Sequence, residues 1–230
     1  MKLNHLVIIP DGNRRWAKQN ILEAAKGHEQ GAFQLEKLYK KIVEMEIPYF
    51  SFWGASYDNL TKRSPFEIEN LLRIMHDEFE KLLNDKEIIE KEINVNFIGR
   101  WKEVFNKDTQ EIINKIIEKT KNNKKLYLTF LLAYNGTDEM IDAIKTIKKK
   151  NLEVTKENIK SCLWTRNLPE VDLVIRTGSG KDPHNSAGFM MWDTAYSQLY
   201  FTETLFPDFN EKELEEIIQN FNLRERRHGK

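Results

Sequence analysis

Asp11 and Gly12 follow the short apolar run Leu6–Pro10 and lead into Asn13, Arg14, Arg15 and Trp16. A carboxylate at the end of a strand, beside two guanidinium groups, suits a metal–phosphate pair. The carboxylate is a hard oxygen ligand for Mg²⁺, and the planar donors take phosphate oxygens. Gly12 lets the chain turn tightly or approach a ligand closely. A helix starting near Asn13 would add free N–H groups able to hold an anion. An Asp-Gly turn with solvated arginines accounts for the same residues about equally well.

Two further segments carry the same kind of chemistry. Ser56, Tyr57, Asp58 and Asn59 follow the run Tyr49–Ala55 and are succeeded by the cations Lys62 and Arg63. By itself this reads more simply as a polar loop leading into a helix cap. Arg176 ends another apolar run and opens a glycine-containing loop through Gly178, Gly180, Lys181, His184 and Gly188. The loop lacks both the Walker A spacing and the third glycine of a dinucleotide fingerprint. His28, after Gly27, stands where a helix is expected to start and where it could meet an anion; a partly buried structural histidine accounts for it about equally well. The tail Arg224, Arg226, Arg227, His228 and Gly229 is basic, and a helix C-terminus stabilises such charge without any ligand. The five histidines show no paired ligand spacing, and Cys162 sits among apolar neighbours as a core residue would.

The elements that must position these residues alternate in type. Apolar runs at Leu6–Pro10, Tyr49–Ala55, Ile93–Ile98, Lys125–Ala133, Val171–Arg176 and Gln198–Phe201 read as strands, most of them covered on both faces. Between them lie amphipathic helices: about His28 to Met45, one from Ser64-Pro65 onward, Asp108 to Lys121, one from Thr137 or Asp138, and one from about Asn210. This alternation predicts an α/β fold, a single mainly parallel sheet flanked by helices, in one domain over residues 1–230. Ligands in such folds bind beyond the carboxyl ends of the strands. Asp11, Ser56 and Arg176 all fall at such ends.

The 230 residues carry 36 Lys plus Arg against 36 Asp plus Glu. Zero net charge argues against nucleic acid as a partner. One cysteine excludes an intrachain disulfide, and the apolar runs are too short for a signal peptide or a membrane span. The expectation is a cytoplasmic protein, with peripheral membrane contact left open.

In order along the chain, His5–Lys18, Gly27–Gly31, Val171–Thr177, Leu199–Thr202, Pro207–Phe209 and Arg224–Arg227 resemble the cis-prenyltransferase family, typified by undecaprenyl diphosphate synthase. The resemblance implies a homodimeric α/β enzyme that uses Mg²⁺ to condense isopentenyl diphosphate with an allylic prenyl diphosphate, creating a cis double bond. It implies that Asp11 is the catalytic and metal-binding acid, with Asn59 also catalytic. Gly12, Asn13, Arg14, Arg15, Trp16, His28, Ser56, Lys62, Arg63 and Arg176 would bind substrate. Arg226, Arg227, His228 and Gly229 would form a phosphate loop across the dimer. The helix carrying Leu71, Leu72, Met75 and Phe79 is a candidate wall of a tunnel for the apolar tail, although ordinary core packing accounts better for any one of these residues.

The chain departs from the family pattern at several points. Ala24 stands for an arginine, and Leu60 and Lys62 for the Trp and Arg of one loop. A longer loop from Lys181 to Gly188 replaces an Arg-x-Ser-Asn segment, with Lys181 or His184 as substitute phosphate donors. Gln198 replaces a metal-binding Glu, with Asp193 or Glu203 as candidate replacements. These departures keep open an alternative, a non-catalytic diphosphate-binding or partner subunit. A different geometry of prenyl condensation is a third reading. The adjacent-aspartate signature of trans-type synthases is absent from the sequence.

Overall fold

The computed structural model describes residues 2–224. Arg226, Arg227, His228 and Gly229, expected to form the cross-dimer loop, lie outside the described residues. Six strands form one sheet: β1 (His5–Ile9), β2 (Tyr49–Ala55), β3 (Ile93–Ile98), β4 (Leu126–Leu132), β5 (Leu173–Arg176) and β6 (Gln198–Phe201). Their order is β3-β4-β2-β1-β5-β6, and every pair is parallel.

The apolar runs become parallel strands because both faces are covered. Alternate residues divide cleanly between two cores. Leu6, Ile8, Phe50, Phe52, Leu128 and Phe130 pack on one face. Val7, Ile9, Trp53, Leu131 and Val174 pack on the other. The first face is covered by α2 (Ala24–Glu44), α3 (Pro65–Asn84), α6 (Lys107–Thr120) and α9 (Glu211–Leu223), which contribute Leu38, Phe79, Ile113 and Leu214. On the second side, α7 (Gly136–Lys150) and α8 (Lys156–Cys162) pack together through Ala143, Ile147 and Cys162, so the thiol is core. The remaining helices are α1 (Asn13–Gln19) and the single turns α4 (Glu87–Glu90) and α5 (Trp101–Val104).

The caps are those expected from side-chain chemistry. Ser64 accepts from the Glu67 N–H ahead of Pro65, and Asn106, Thr155 and Asn210 do the same for α6, α8 and α9. The boundary that differs most from expectation is the start of α2. α2 begins at Ala24, so His28 lies inside the helix and not at its start. Gly27 does not interrupt the helix. It lets α1 press against α2, for a Cβ there would sit 2.0 Å from the Asn13 carbonyl oxygen.

β1 has β2 on one side and β5 on the other, so the strand order reverses at β1. This is where an open parallel sheet leaves a crevice beyond its carboxyl ends. The register Ile8↔Phe52 and Ile9↔Arg176 brings Asp11, Ser56 and Arg176 to that crevice together.

Candidate active site

Asp11 follows β1, and its backbone is held by the Thr177 hydroxyl, which donates to the Asp11 carbonyl at 2.8 Å. Gly12 turns the chain into α1 at φ 113°, a conformation that disfavours any side chain, and a Cβ there would also meet Leu205 at 2.8 Å. The Asp11 carboxylate accepts from Arg176 Nη2 at 2.9 Å and from Arg15 Nη2 at 3.1 Å. It stays 36% exposed, whereas the Arg176 side chain is only 8% exposed. Arg176 is fixed further by donating Nη1 to the His184 carbonyl at 3.0 Å and to Ser186 Oγ at 2.7 Å. Its buried Nε has no hydrogen-bond partner among the described residues.

A second cluster forms around Glu67 in the first turn of α3. Arg63 lies 2.8 Å from its carboxylate, and Arg14 and His28 each 3.8 Å away. Burial, reinforced by the positive charge of Arg63, lowers the His28 pKa to about 4; Glu67 pulls it upward and Arg14 downward. Burial also lowers the Arg63 pKa, opposed chiefly by Glu67. His28 Nε2 is buried without a hydrogen bond, as is Asn13 Oδ1. A cluster of two arginines and a neutral imidazole sharing one carboxylate has capacity left for an anion.

Several expected residues are placed otherwise. Lys62 turns outward to pair with Asp58 at 3.1 Å, so Arg63 is the cation that joins the cluster. The reason is its position one residue before the Ser64 cap, with Glu67 four residues on. Leu60 is buried with Ala55, Leu71 and Ala133. Ser56 accepts from the Asn59 N–H at 3.1 Å, closing the turn that presents both residues. Trp16 donates its indole N–H to Asp208 at 2.8 Å and so pins α1 to the Pro207-Asp208 turn. α1 has only seven residues, so its dipole is short and anion binding falls to the side chains.

Neither Lys181 nor His184 offers its side chain to Asp11 or Arg176. Lys181 is exposed and pairs with Glu203 at 3.6 Å, and His184 Nδ1 lies 2.8 Å from the Asp182 carbonyl. The loop reaches the site through the His184 carbonyl and Ser186. Gln198 starts β6, at the opposite end of the sheet from Asp11, and accepts from Arg224 at 3.0 Å. Asp193 is buried against Lys160.

Behind the charged residues opens a cavity of about 480 Å³, entered past Pro10, Asn13 and His28. Its walls are mostly apolar: Leu35 of α2, Leu71, Ile74, Met75 and Phe79 of α3, Phe52 and Phe130 of the sheet. Leu72 points elsewhere and lines a separate groove with Val104 and Phe105. The far end is ringed by Glu36, Lys40, Glu78, Lys81, Asp85 and Glu87. A charged mouth on an apolar barrel accommodates an amphiphile with an anionic head and a hydrocarbon tail.

The family model for undecaprenyl diphosphate synthase matches residues 9–229. An isoprenyl transferase of Thermus thermophilus is 34% identical over 98% of this chain and 88% of its own. The chain belongs to the undecaprenyl diphosphate synthase family. A tritrans,polycis-undecaprenyl-diphosphate synthase of Pyrococcus furiosus, geranylgeranyl-diphosphate specific, is also 34% identical, over 98% of this chain and 86% of its own. The structure of lavandulyl diphosphate synthase from Lavandula x intermedia in complex with dimethylallyl diphosphate superposes with a TM-score of 0.88. It is 25% identical, covering 100% of this chain and 99% of that one. The family resemblance read from the sequence is therefore correct. Glu67 and Ser186 were not singled out by sequence reasoning. Glu67 had one usable signal, its spacing of four from Arg63 at a helix start.

Proposed function

We propose that the protein condenses isopentenyl diphosphate with an allylic prenyl diphosphate, extending the chain by one cis unit. The observation that carries this is an apolar cavity walled by α2 and α3 whose lining takes in Pro10 and Asn13, close on either side of Asp11 with its Arg15 and Arg176 partners, and His28 of the Glu67 cluster. Arg14, Arg15, Arg63 and His28 take the allylic diphosphate, and Arg176 takes that of isopentenyl diphosphate. The growing tail moves along Leu71, Met75 and Phe79. Positive charge fixed before the reaction stabilises the diphosphate as it leaves, at no cost in reorganisation. Ser56 and Asn59 orient substrate from the edge of the mouth.

Asp11 is exposed and bonded to guanidinium groups, which suits an acid that also meets a metal ion. Mg²⁺ is commonly bound through one or two carboxylates plus substrate phosphates, so Asp11 and the diphosphate oxygens are the donors that would hold it. Bound there, Mg²⁺ would neutralise charge developing on the leaving group.

A homodimer is supported by exposed apolar side chains, Ile141 and Ile144 on α7 together with Met191, Tyr196 and Leu199. No helix among the described residues is long and apolar enough to cross a membrane. The water-insoluble product argues for peripheral contact with a bilayer from the cytoplasmic side.

The test is incubation with Mg²⁺, labelled isopentenyl diphosphate and primers of several lengths, followed by separation of products. Extension is expected, falling by about a hundredfold or more in Asp11→Ala. Filling the cavity with Met75→Trp should shorten the product without lowering the rate of the first addition. If no primer is extended while inorganic diphosphate still binds, the non-catalytic reading takes its place.

A further inference from the structure

We infer that Arg100 is a positioning residue for the turn carrying Ser56 and Asn59, acting through the ring of Tyr57. The inference rests on the prenyl-transfer reading above. Arg100 lies outside every segment assigned to phosphate, yet its guanidinium carbon sits 3.6 Å from the centroid of the Tyr57 ring. Its nitrogens are already engaged. Nε and Nη2 donate to Glu103 at 3.0 and 2.7 Å, and Nη1 donates to Asp138 at 3.3 Å. Its backbone N–H donates to the Ala133 carbonyl at 3.2 Å. The guanidinium is thus a plate held by α5 and α7, with its charge balanced by two carboxylates and none left over for a substrate anion.

Tyr57 stands between Ser56 and the short turn Asp58–Leu60. Its N–H donates to Asn135 Oδ1 at 3.3 Å, just ahead of α7. The Ser56 hydroxyl accepts from the Asn59 N–H and retains its own O–H to donate. A single 3-10 turn has little stability of its own. Besides the buried Leu60 side chain, the stacked Arg100 and the Asn135 amide tie it to the frame beyond β3 and β4. Arginine suits this role because its plane is rigid and weakly hydrated; lysine offers a point charge and no plane to stack on. Movement of the turn by about an ångström would shift Ser56 and Asn59 together, and misplacement on that scale can cost a hundredfold in rate.

The experiment compares Arg100→Ala, Arg100→Lys, Tyr57→Phe, Tyr57→Leu and the double variant Arg100→Ala/Tyr57→Leu. Arg100→Ala and Tyr57→Leu should each lose about tenfold or more, chiefly in kcat, with KM for both diphosphates within about twofold. Arg100→Lys should not rescue, Tyr57→Phe should, and the double variant should be no worse than either single. Independently of turnover, amide hydrogen exchange of residues 56–62 should quicken in Arg100→Ala while β1 and β5 keep their protection. Unchanged exchange overturns the inference, as do additive losses or wild-type kinetics in Arg100→Ala. Failure of the wild type to extend any primer counts against the prenyl-transfer reading alone, because the exchange measurement still decides about Arg100.

Discussion

Two histidines, His5 and His28, have their pKa lowered to about 4, and they serve opposite ends of the molecule. His5 begins β1 at the amino-terminal end of the sheet. Its Nε2 lies 2.8 Å from Ser51 Oγ and its Nδ1 3.0 Å from the Pro169 carbonyl, so both nitrogens are paired. Burial depresses it, and the strongest opposing influence is the Pro169 hydrogen bond. His28 lines the cavity with Nε2 3.8 Å from the Glu67 carboxylate and without a hydrogen bond, and after burial its next cause is the positive charge of Arg63. The same displacement of pKa thus marks a finished structural joint in one place and an unfinished anion site in the other. The company a titratable group keeps separates function from packing better than the size of its shift.

Replacement by phenylalanine should break the likeness most sharply. His5→Phe leaves Ser51 and Pro169 without their partner and should cost about 2–3 kcal/mol, seen as a lower Tm with kcat per folded molecule unchanged. His28→Phe removes a buried nitrogen that makes no hydrogen bond and should leave Tm level or raised, while KM for the allylic diphosphate rises about tenfold.

Acid should treat the two histidines alike in the empty protein. A folded pKa near 4 against an unfolded value of 6.5 means that the unfolded chain binds more protons between those limits. The stability contributed by neutral His5 and His28 is complete above about pH 6.5 and declines as pH falls toward 4. Each would lose on the order of 3 kcal/mol, checked by denaturant melts across that window.

Inorganic diphosphate should then separate them. An anion beside His28 favours its protonated form, so its imidazole titration should move up by about one unit with ligand while that of His5 stays in place. Carbon-bound proton shifts of the two rings report this directly. The smallest effect is expected at Glu67, whose carboxylate occupies the cations that a substrate would use. Glu67→Gln should tighten binding of inorganic diphosphate by about threefold and lower the His28 pKa further.

Much of this arrangement was legible in the residues. The runs at Tyr49–Ala55, Ile93–Ile98 and Gln198–Phe201 are strands with those bounds, because Val, Ile, Phe and Tyr between polar or turn residues leave little choice of period. Misreadings arose where an angle about a helix mattered. Leu71 and Leu72 are neighbours in sequence, but a turn of about 100° per residue sends one into the cavity and the other into a different groove. Lys62 and Arg63 also diverge, in the turn ahead of the Ser64 cap, one toward Asp58 and the other toward Glu67. Gly27 looked like a helix boundary and is instead a contact between helices, since a glycine allows both and only a neighbour decides.

Strand and helix order, the placement of Asp11, Ser56 and Arg176 at strand ends, and the family were all written in the linear chain. They depend on local preference and on the alternation of apolar residues, which the sequence carries directly. The tertiary structure alone decided that Glu67 gathers Arg14, Arg63 and His28, and that Arg100 lies under Tyr57. Each of these depends on which side chains from distant segments meet across a crossover. Such meetings are set by the packing of whole faces, and a pattern read along one segment does not contain them.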